Sequence, residues 1–569
     1  MKLNLNIVEA AGMVCQDMGA ATATRGLGQD YELMYQDAWG FQYNDELEFC
    51  SLNPKEYELF YGYSKKQQKA VCEKYKNALG RKVSGGQNRQ EKWLSFYHGV
   101  ETQHKKFNTQ ELYLEGIKKQ LAKGIPVEMW FDQYFMPWTK EVRKKAPLRY
   151  QGYMMIHGFD EETGDFHCID IHGTRTEEVM PMRNFLAFLK EHQRYCFTTY
   201  RPTGEQNPFQ VKRFLEKTLQ RIEGIGNKSI FNEMRRLADD IEKKFDFQEE
   251  IALSQESKGS LAAPTHILCV KSFTEVSRMR NLFALTLTYI GERENMPEIL
   301  KLSERFRLHA AKWQILVAIL GKAYFKKDFN GLDKQLSEHI RRLADEEEET
   351  KEILKQLLDE SRIEKVKHLN ENEEKKQKEI GNGEEKNDYV FCDLVSLFNN
   401  RAFAATLKNA EKADFDGLGN YLLRDMQKGK QMIFCGEQPF QLGKEGEDNI
   451  CCTNQIVSIQ PDEYYSLNIL GACDSGAFYG KLEISYLDGE KQESIFGFGE
   501  WRFGKCEFGE KLAWQGERVY WNQVNAEEKG YLFWKRIPLN RQKKLCQIKL
   551  PDCKNMHVFS ITLNKLCEV

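Results

Sequence analysis

The sequence has little of several things, and each shortage removes a class of protein. Proline is scarce, 13 residues in 569, while lysine and glutamate abound, so a stiff extracellular repeat protein is not expected. No two cysteines are spaced as CxxC, and the adjacent Cys451-Cys452 lies between Ile450 and Thr453 as a packing pair, so no metal site is predicted. No apolar run approaches the length of a membrane span. The first residues, Met1-Lys2-Leu3-Asn4-Leu5-Asn6, lack a signal peptide's apolar stretch. The formal charge of −3 gives no positive excess for nucleic acid. Fifteen cysteines, an odd number scattered without a framework, suit thiols kept reduced in the cytoplasm.

What is present divides into regions, since the chain is too long for one core. Residues 1–203 mix helix and strand. Leu112 to Lys123 reads as a helix ending at Gly124, and Pro126 to Phe131 as a short buried strand. Asp132 to Trp138 is an aromatic loop, residues 152–171 a hairpin, and Met182 to Glu191 a covering helix. Residues 204–360 are helical, starting at Asn207-Pro208, with Phe231, Met234, Leu237, Ala238, Ile241 and Phe245 at helical spacing. Dense mixed charge from Glu346 onward reads as a solvated helix fraying into a linker over 361–388. Residues 389–569 show short alternating strands between Gly and Asp turns, the texture of an all-β jelly-roll sandwich.

Chemistry is concentrated near the N-terminus. Cys15 runs directly into Gly19, Ala20, Ala21 and Ala23, small residues suited to a tightly packed helix. A cysteine heading a helix faces unsatisfied N–H groups and the positive end of the helix dipole, and both favour thiolate. The alternative reading is a small buried hydrophobe. Far along the chain the predicted hairpin carries His157 and Asp170. A thiol heading a helix, with a distant histidine- and carboxylate-bearing hairpin, is the layout of a papain-like cysteine enzyme.

Four pieces then act together: Gly124-Ile125-Pro126-Val127, Asp132-Gln133-Tyr134-Phe135-Met136-Pro137-Trp138, Gly158-Phe159-Asp160 and Ile169-Asp170. With Tyr31-Glu32-Leu33-Met34-Tyr35 and Phe41-Gln42-Tyr43, they resemble the N-terminal domain of butirosin-biosynthesis-type acyltransferases. That family shares the papain-like fold of bacteriocin-processing, C39-like peptidases. The helical middle is similar to the companion domain found behind it. The C-terminal region resembles a galactose-binding-type module, most clearly at Asp414-Phe415-Asp416-Gly417-Leu418-Gly419. The implied fold class is α+β, with a papain-like N-terminal domain, an all-α middle and a C-terminal β-sandwich.

The resemblance implies an enzyme that moves an acyl group from a carrier-protein thioester to an amine, in antibiotic-type biosynthesis. Cys15 takes the nucleophile position and Asp170 that of the orienting carboxylate. The family's histidine falls at Gly152 here, and that departure removes the expected base. His157 lies five residues on, across the strand from position 152 unless a bulge intervenes. His172, His98 and His104 are the other candidates. Gln16 either donates to an oxyanion or hydrogen-bonds at the helix start. Asp132 forms a turn or meets the substrate amine, and Tyr134 and Trp138 line an acyl channel or pack in the core. Trp501, Trp514 and Trp521 are assigned to the sandwich core ahead of sugar stacking, and Asp414 and Asp416 to a turn ahead of calcium binding. The implied partners are an acyl or peptidyl carrier protein, bearing the substrate on phosphopantetheine, and a small amine; no bound cofactor, nucleic acid or membrane is expected. Two other readings stay open: a non-catalytic papain-like binding protein for an intermediate or carrier, and a cysteine peptidase.

Overall fold

The alternation of Val127, Met129 and Phe131 with Glu128, Trp130 and Asp132 makes a strand with one core face, and a six-stranded antiparallel sheet is built around it. The structure, a computed structural model, describes residues 2–43, 78–86, 89–139, 151–171, 174–224, 228–255, 267–358, 387–406, 413–424, 431–436, 438–443, 446–520 and 523–566. The expected linker lies almost wholly outside these residues, as do His172 and Trp521. In chain order the sheet and its helices are α1 (Cys15–Gly26), α2 (Gln90–His98), β1 (Val100–Lys106), α3 (Gln110–Leu121), β2 (Val127–Asp132), β3 (Gln151–Phe159), β4 (Phe166–Asp170), β5 (Glu177–Met180), α4 (Met182–His192) and β6 (Cys196–Pro202). The strand order is β1-β6-β2-β3-β4-β5.

One face of this sheet packs on α3 and α4. Val127, Met129, Phe131, Met154 and Ile156 meet Tyr113, Ile117 and Leu121 of α3 and Phe185, Phe188 and Leu189 of α4. Helix α3 begins two residues before its apolar pattern because the Thr109 side chain accepts the Leu112 amide at 3.3 Å. It ends at Leu121, three residues before the expected Gly124, which closes the following turn with a φ of +75° that suits a residue without Cβ. The β3–β4 turn is closed by Asp160, whose Oδ1 accepts the Glu162 amide at 2.8 Å. Register slips by one residue between Ile156 and Gly158, so β3 does carry a bulge at His157.

The helical part comprises α5 (Val211–Glu223), α6 (Ile230–Lys244), α7 (Phe247–Gln255), α8 (Leu268–Arg293), α9 (Pro297–Lys326) and α10 (Leu332–Leu358). Helix α5 starts three residues beyond Pro208, because the Asn207 amide donates to the Phe96 carbonyl at 3.0 Å instead of capping. The chain divides into two compact units. One is Met1–Leu237, Glu275–Phe306 and Ala344–Lys367; the other is Ala238–Thr274, Arg307–Leu343 and His368–Val569. Among the described residues no helix is long and apolar enough to cross a membrane.

The acidic run midway along α10 is not the wholly solvated face its composition predicts. Glu347 is fully buried, and its carboxylate binds Arg280 Nε at 3.0 Å, Arg280 Nη2 at 2.9 Å and Trp39 Nε1 at 2.9 Å. Arg280, equally buried, also donates to the Gly40 carbonyl at 2.6 Å. A fork of guanidinium donors on one carboxylate satisfies both charges, which is the condition for keeping them out of water.

The second unit holds a β-sandwich of an eight-stranded and a four-stranded sheet. Ser466–Cys473 is buried at every residue, being hydrogen-bonded between Gln523–Pro538 and Asp552–Leu566. Trp501 is buried in this core, Trp514 packs against its margin, and Cys452 is fully buried within it. The Asp414–Gly419 segment is a turn: Asp416 Oδ1 accepts the Leu418 amide at 2.9 Å and Asp414 Oδ1 that of Gly419 at 2.8 Å. A buried polar cluster also belongs to this unit. Asp474 accepts from His557 Nε2 at 3.0 Å and Lys322 Nζ at 2.9 Å, and His557 Nδ1 meets Asn449 Oδ1 at 2.8 Å.

The buried pair in the first unit gives a direct test. Glu347→Ala leaves Arg280 charged and unmatched, so a loss of about 3–5 kcal/mol in denaturant unfolding is expected. A loss under about 1 kcal/mol, the range of exposed pairs, would show that water reaches the site.

Candidate functional site

Helix α1 starts where the sequence predicts, with Cys15 as its first residue. What fixes that start is Asp17. Its Oδ2 accepts the Val14 amide at 2.9 Å and Arg278 Nη1 at 2.7 Å, while Oδ1 accepts Gln90 Nε2 at 2.6 Å. Met18, Gly19, Ala21, Thr22 and Ala23 are buried behind it, so small side chains are what let α1 pack closely.

Cys15 itself is partly exposed. Burial is the largest influence on its thiol and pushes its pKa up; the helix-start amide pulls it down, as does Arg175, whereas Glu128 and Asp170 push it further up. The helix N-terminus therefore acts in the expected direction and is outweighed by desolvation, which corrects the expectation of a favoured thiolate. Gln16 is exposed and its Nε2 donates to the Tyr153 hydroxyl at 2.8 Å, so it reaches across to β3.

Asp170 is fully buried at the end of β4. Its Oδ2 accepts the Trp138 indole N–H at 2.9 Å and the Thr174 amide at 3.2 Å, and its carbonyl takes the Arg175 amide at 2.9 Å. It therefore shapes the β4–β5 turn that presents Arg175, while lying within electrostatic reach of the Cys15 sulfur. Trp138 holds Asp170. Tyr134, half-exposed, stacks edge-on against Phe135.

Other expected residues lie elsewhere. The His157 Nδ1 is 2.9 Å from the Leu3 carbonyl, and its strongest charged neighbours are Glu177, Lys2 and His167. The charged groups that act most on Cys15 are Glu128, Arg175 and Asp170. Burial lowers the His157 pKa. Asp132, fully buried, caps the turn after β2 by accepting the Tyr134 amide at 2.9 Å, and its other oxygen meets His192 Nε2 at 3.0 Å. His98 Nε2 accepts the Leu33 amide at 3.1 Å, and His104 lies between Thr198 and Glu91, 3.0 Å from each. Gly152 pairs with Phe131 and so sits on the core face of the sheet; the next residue, Tyr153, projects from the α1 face.

Two residues that the sequence analysis does not single out join Cys15 on that face. Glu128 pairs with Thr198 on β6 and shares its face with Trp130 and, across the strand pair, Tyr153. Its carboxylate lies against Gly19, four residues after Cys15 on α1: a Cβ at Gly19 would lie 2.6 Å from Glu128 Cδ and closer still to Oε1. The Tyr200 hydroxyl donates to Glu128 Oε2, and Oε1 has no hydrogen-bond partner among the described residues. Burial raises the Glu128 pKa to about 7, against the pull of the Tyr200 hydrogen bond. A cavity of about 20 Å³, lined by Glu128, Tyr153, Trp130, Arg194, Cys196 and Thr198 among others, adjoins it and has room for about one water. Among the described residues no group of His, Cys, Asp or Glu is arranged to hold a metal ion.

Residues 392–566 match the family model of the AziU2-like beta-sandwich domain. This agrees with the sandwich expected from the strand pattern. No curated protein matches the chain.

Gly19 offers a test of the packing beside the thiol. Glycine to alanine inside a helix ordinarily stabilises by about 1 kcal/mol. Here Gly19→Ala is expected to destabilise by about 1–3 kcal/mol, because the methyl meets a buried carboxylate. In a Glu128→Ala background the same change is expected to stabilise. Stabilisation in the wild-type background, read from thermal melts, would displace Glu128 from α1.

Proposed function

We propose that the chain is a cysteine acyltransferase, taking an acyl group from a carrier-protein thioester to a small amine in antibiotic-type biosynthesis. The observation that carries this reading is the setting of Cys15: partly exposed at the head of a helix, with Arg175 drawing on its thiolate and Asp170 held nearby by Trp138. A thiol at a helix head with a distant hairpin carboxylate keeps two of the three parts that the resemblance to a papain-like domain implies, the histidine being the third. The AziU2-like sandwich supports the biosynthetic setting.

In this reading the Cys15 sulfur attacks the thioester carbonyl and the phosphopantetheine thiol leaves with the cysteine's proton. The amine then attacks the acyl–Cys15 thioester, the carbon–sulfur bond breaks, and the amide departs. The acyl group arrives activated, so the first step exchanges one thioester for another and demands less of the nucleophile than amide hydrolysis does. That suits a thiol raised by burial and a chain with glycine at position 152. This reading assigns the stabilisation of a developing oxyanion to the helix-start amide of Cys15, with Gln16 Nε2, now on Tyr153, as a second donor. No bound cofactor is needed, the phosphopantetheinyl arm being part of the substrate.

A second reading, a papain-like protein that binds a carrier or intermediate without reacting, draws support from the same burial of the thiol. Peptide hydrolysis is the least supported, since an amine leaving group calls for a proton donor, and position 152, where the resemblance expects the histidine, is a glycine on the face turned to α3 and α4.

The readings separate in one assay. Incubation of the full chain with an acyl-carrier thioester is expected to add one acyl mass, seen by intact mass spectrometry, and Cys15→Ala to abolish it. Carrier binding without acyl transfer in the wild-type chain would favour the binder.

A further inference from the structure

Glu128 has no role in the scheme above, yet it is the acid best placed to have one. It is buried in the wall shared by α1 and the sheet, one oxygen held by Tyr200 and the other without a hydrogen-bond partner among the described residues, beside a water-sized cavity. A carboxylate kept there at the expense of hydration, with half of its acceptor capacity unused, is costly as a purely structural element. The space for it is made by Gly19, whose position one helical turn from Cys15 puts the carboxylate on the thiol's side of α1. Tyr153 joins the two places: its ring lines the cavity and its hydroxyl takes the hydrogen bond from Gln16, the neighbour of Cys15.

We propose that Glu128 is the proton acceptor for the amine in the second half-reaction. This rests on the acyltransferase reading and deepens it. As the amine nitrogen bonds to the acyl carbon of acyl–Cys15, it becomes positively charged and must lose one proton. The Glu128 carboxylate takes that proton and becomes the neutral acid, while the sulfur leaves with the electron pair of the carbon–sulfur bond. Glu128 then passes that proton to the released Cys15 sulfur, which restores the thiol and the carboxylate for the next cycle.

A carboxylate is the wrong partner for the first half-reaction and the right one for the second. Beside a thiol, its negative charge opposes thiolate formation, in keeping with its effect on Cys15. Beside an attacking amine, the same charge stabilises the ammonium that develops. Its acidity is matched to the task, since burial sets it at about 7. The other groups facing it are Tyr200 from β6, His104 from β1, Glu91 from α2, and Asp17 and Cys15 from α1. His104 favours the ionised form, and Asp17 and Glu91 oppose it.

The test separates the two half-reactions in the full chain. Acyl–Cys15 is formed from an acyl-carrier thioester and followed by intact mass, and a simple primary amine is then added. Glu128→Gln is expected to load at the wild-type rate or faster, because a negative charge beside the sulfur is gone. Its aminolysis is expected to slow by about 100-fold or more, the usual yield of a positioned base. The wild-type aminolysis rate should rise with pH through about 7, where the carboxylate ionises. Glu128→Gln should lose that inflection. Tyr200→Phe, which keeps the carboxylate and removes the hydrogen bond that lowers its pKa, should move the inflection to higher pH. Aminolysis by Glu128→Gln at the wild-type rate, or an inflection unmoved by Tyr200→Phe, would overturn the assignment. Failure of the wild-type chain to acquire an acyl group would instead remove the acyltransferase reading itself.

Discussion

The first unit is organised around one buried carboxylate that fixes where a helix begins. Asp17 holds the Val14 amide, Gln90 and Arg278, drawing together three segments distant in sequence. Burial pushes its carboxyl up and Arg278 opposes this most strongly, so the ionised form depends on the guanidinium staying in place. Without this anchor the first turn of α1 would fray, because its amides would lose a fixed acceptor. Cys15 sits in that turn. The orientation of its sulfur, the packing of Gly19 on Glu128 and the reach of Gln16 to Tyr153 all follow from it.

Two opposing effects then act on the thiol. The helix terminus contributes about 0.3–1 kcal/mol in favour of an anion, rising to about 2 kcal/mol in partly buried settings. Desolvation of a fully buried group shifts a pKa by up to about 3–5 units, and even partial burial competes with the dipole. Here burial is the larger, and two nearby carboxylates add to it. Chemistry at such a sulfur suits a donor that is already activated. It also places the demand for a base on the incoming nucleophile, and Glu128 is a carboxylate packed against the same helix.

Much of the fold is legible in the sequence because it is carried by periodicity. The strand at β2, the 152–171 hairpin, α4 and the sandwich strands show as alternation or helical spacing, and each is found within a few residues of its expected bounds. The start of α1 is legible from a thiol followed by small residues. The partners of that helix are not. Glu128 reads as one polar residue in an apolar strand, and Gly19 as one small residue among alanines; only their contact gives either a meaning. Asp170 is legible through the resemblance, but its indole donor Trp138 reads equally well as core. Glu347 is hidden in a run of four glutamates, where composition predicts solvent and Arg280 provides burial. Tyr153 projects from the opposite face to position 152, and nothing local in the sequence shows that its hydroxyl meets Gln16. Long-range pairs of this kind are set by tertiary packing, which a periodicity does not encode.

The most direct measurement follows an isotopically labelled acyl group through a single turnover. The label is placed on the purified full chain by its carrier thioester, excess unlabelled donor is added, and the amine is introduced at once. The account predicts that the label passes from Cys15 into the amide at a rate no slower than steady-state turnover, undiluted by the unlabelled donor. Label that stays on the protein, or leaves only as the carboxylic acid, would contradict it.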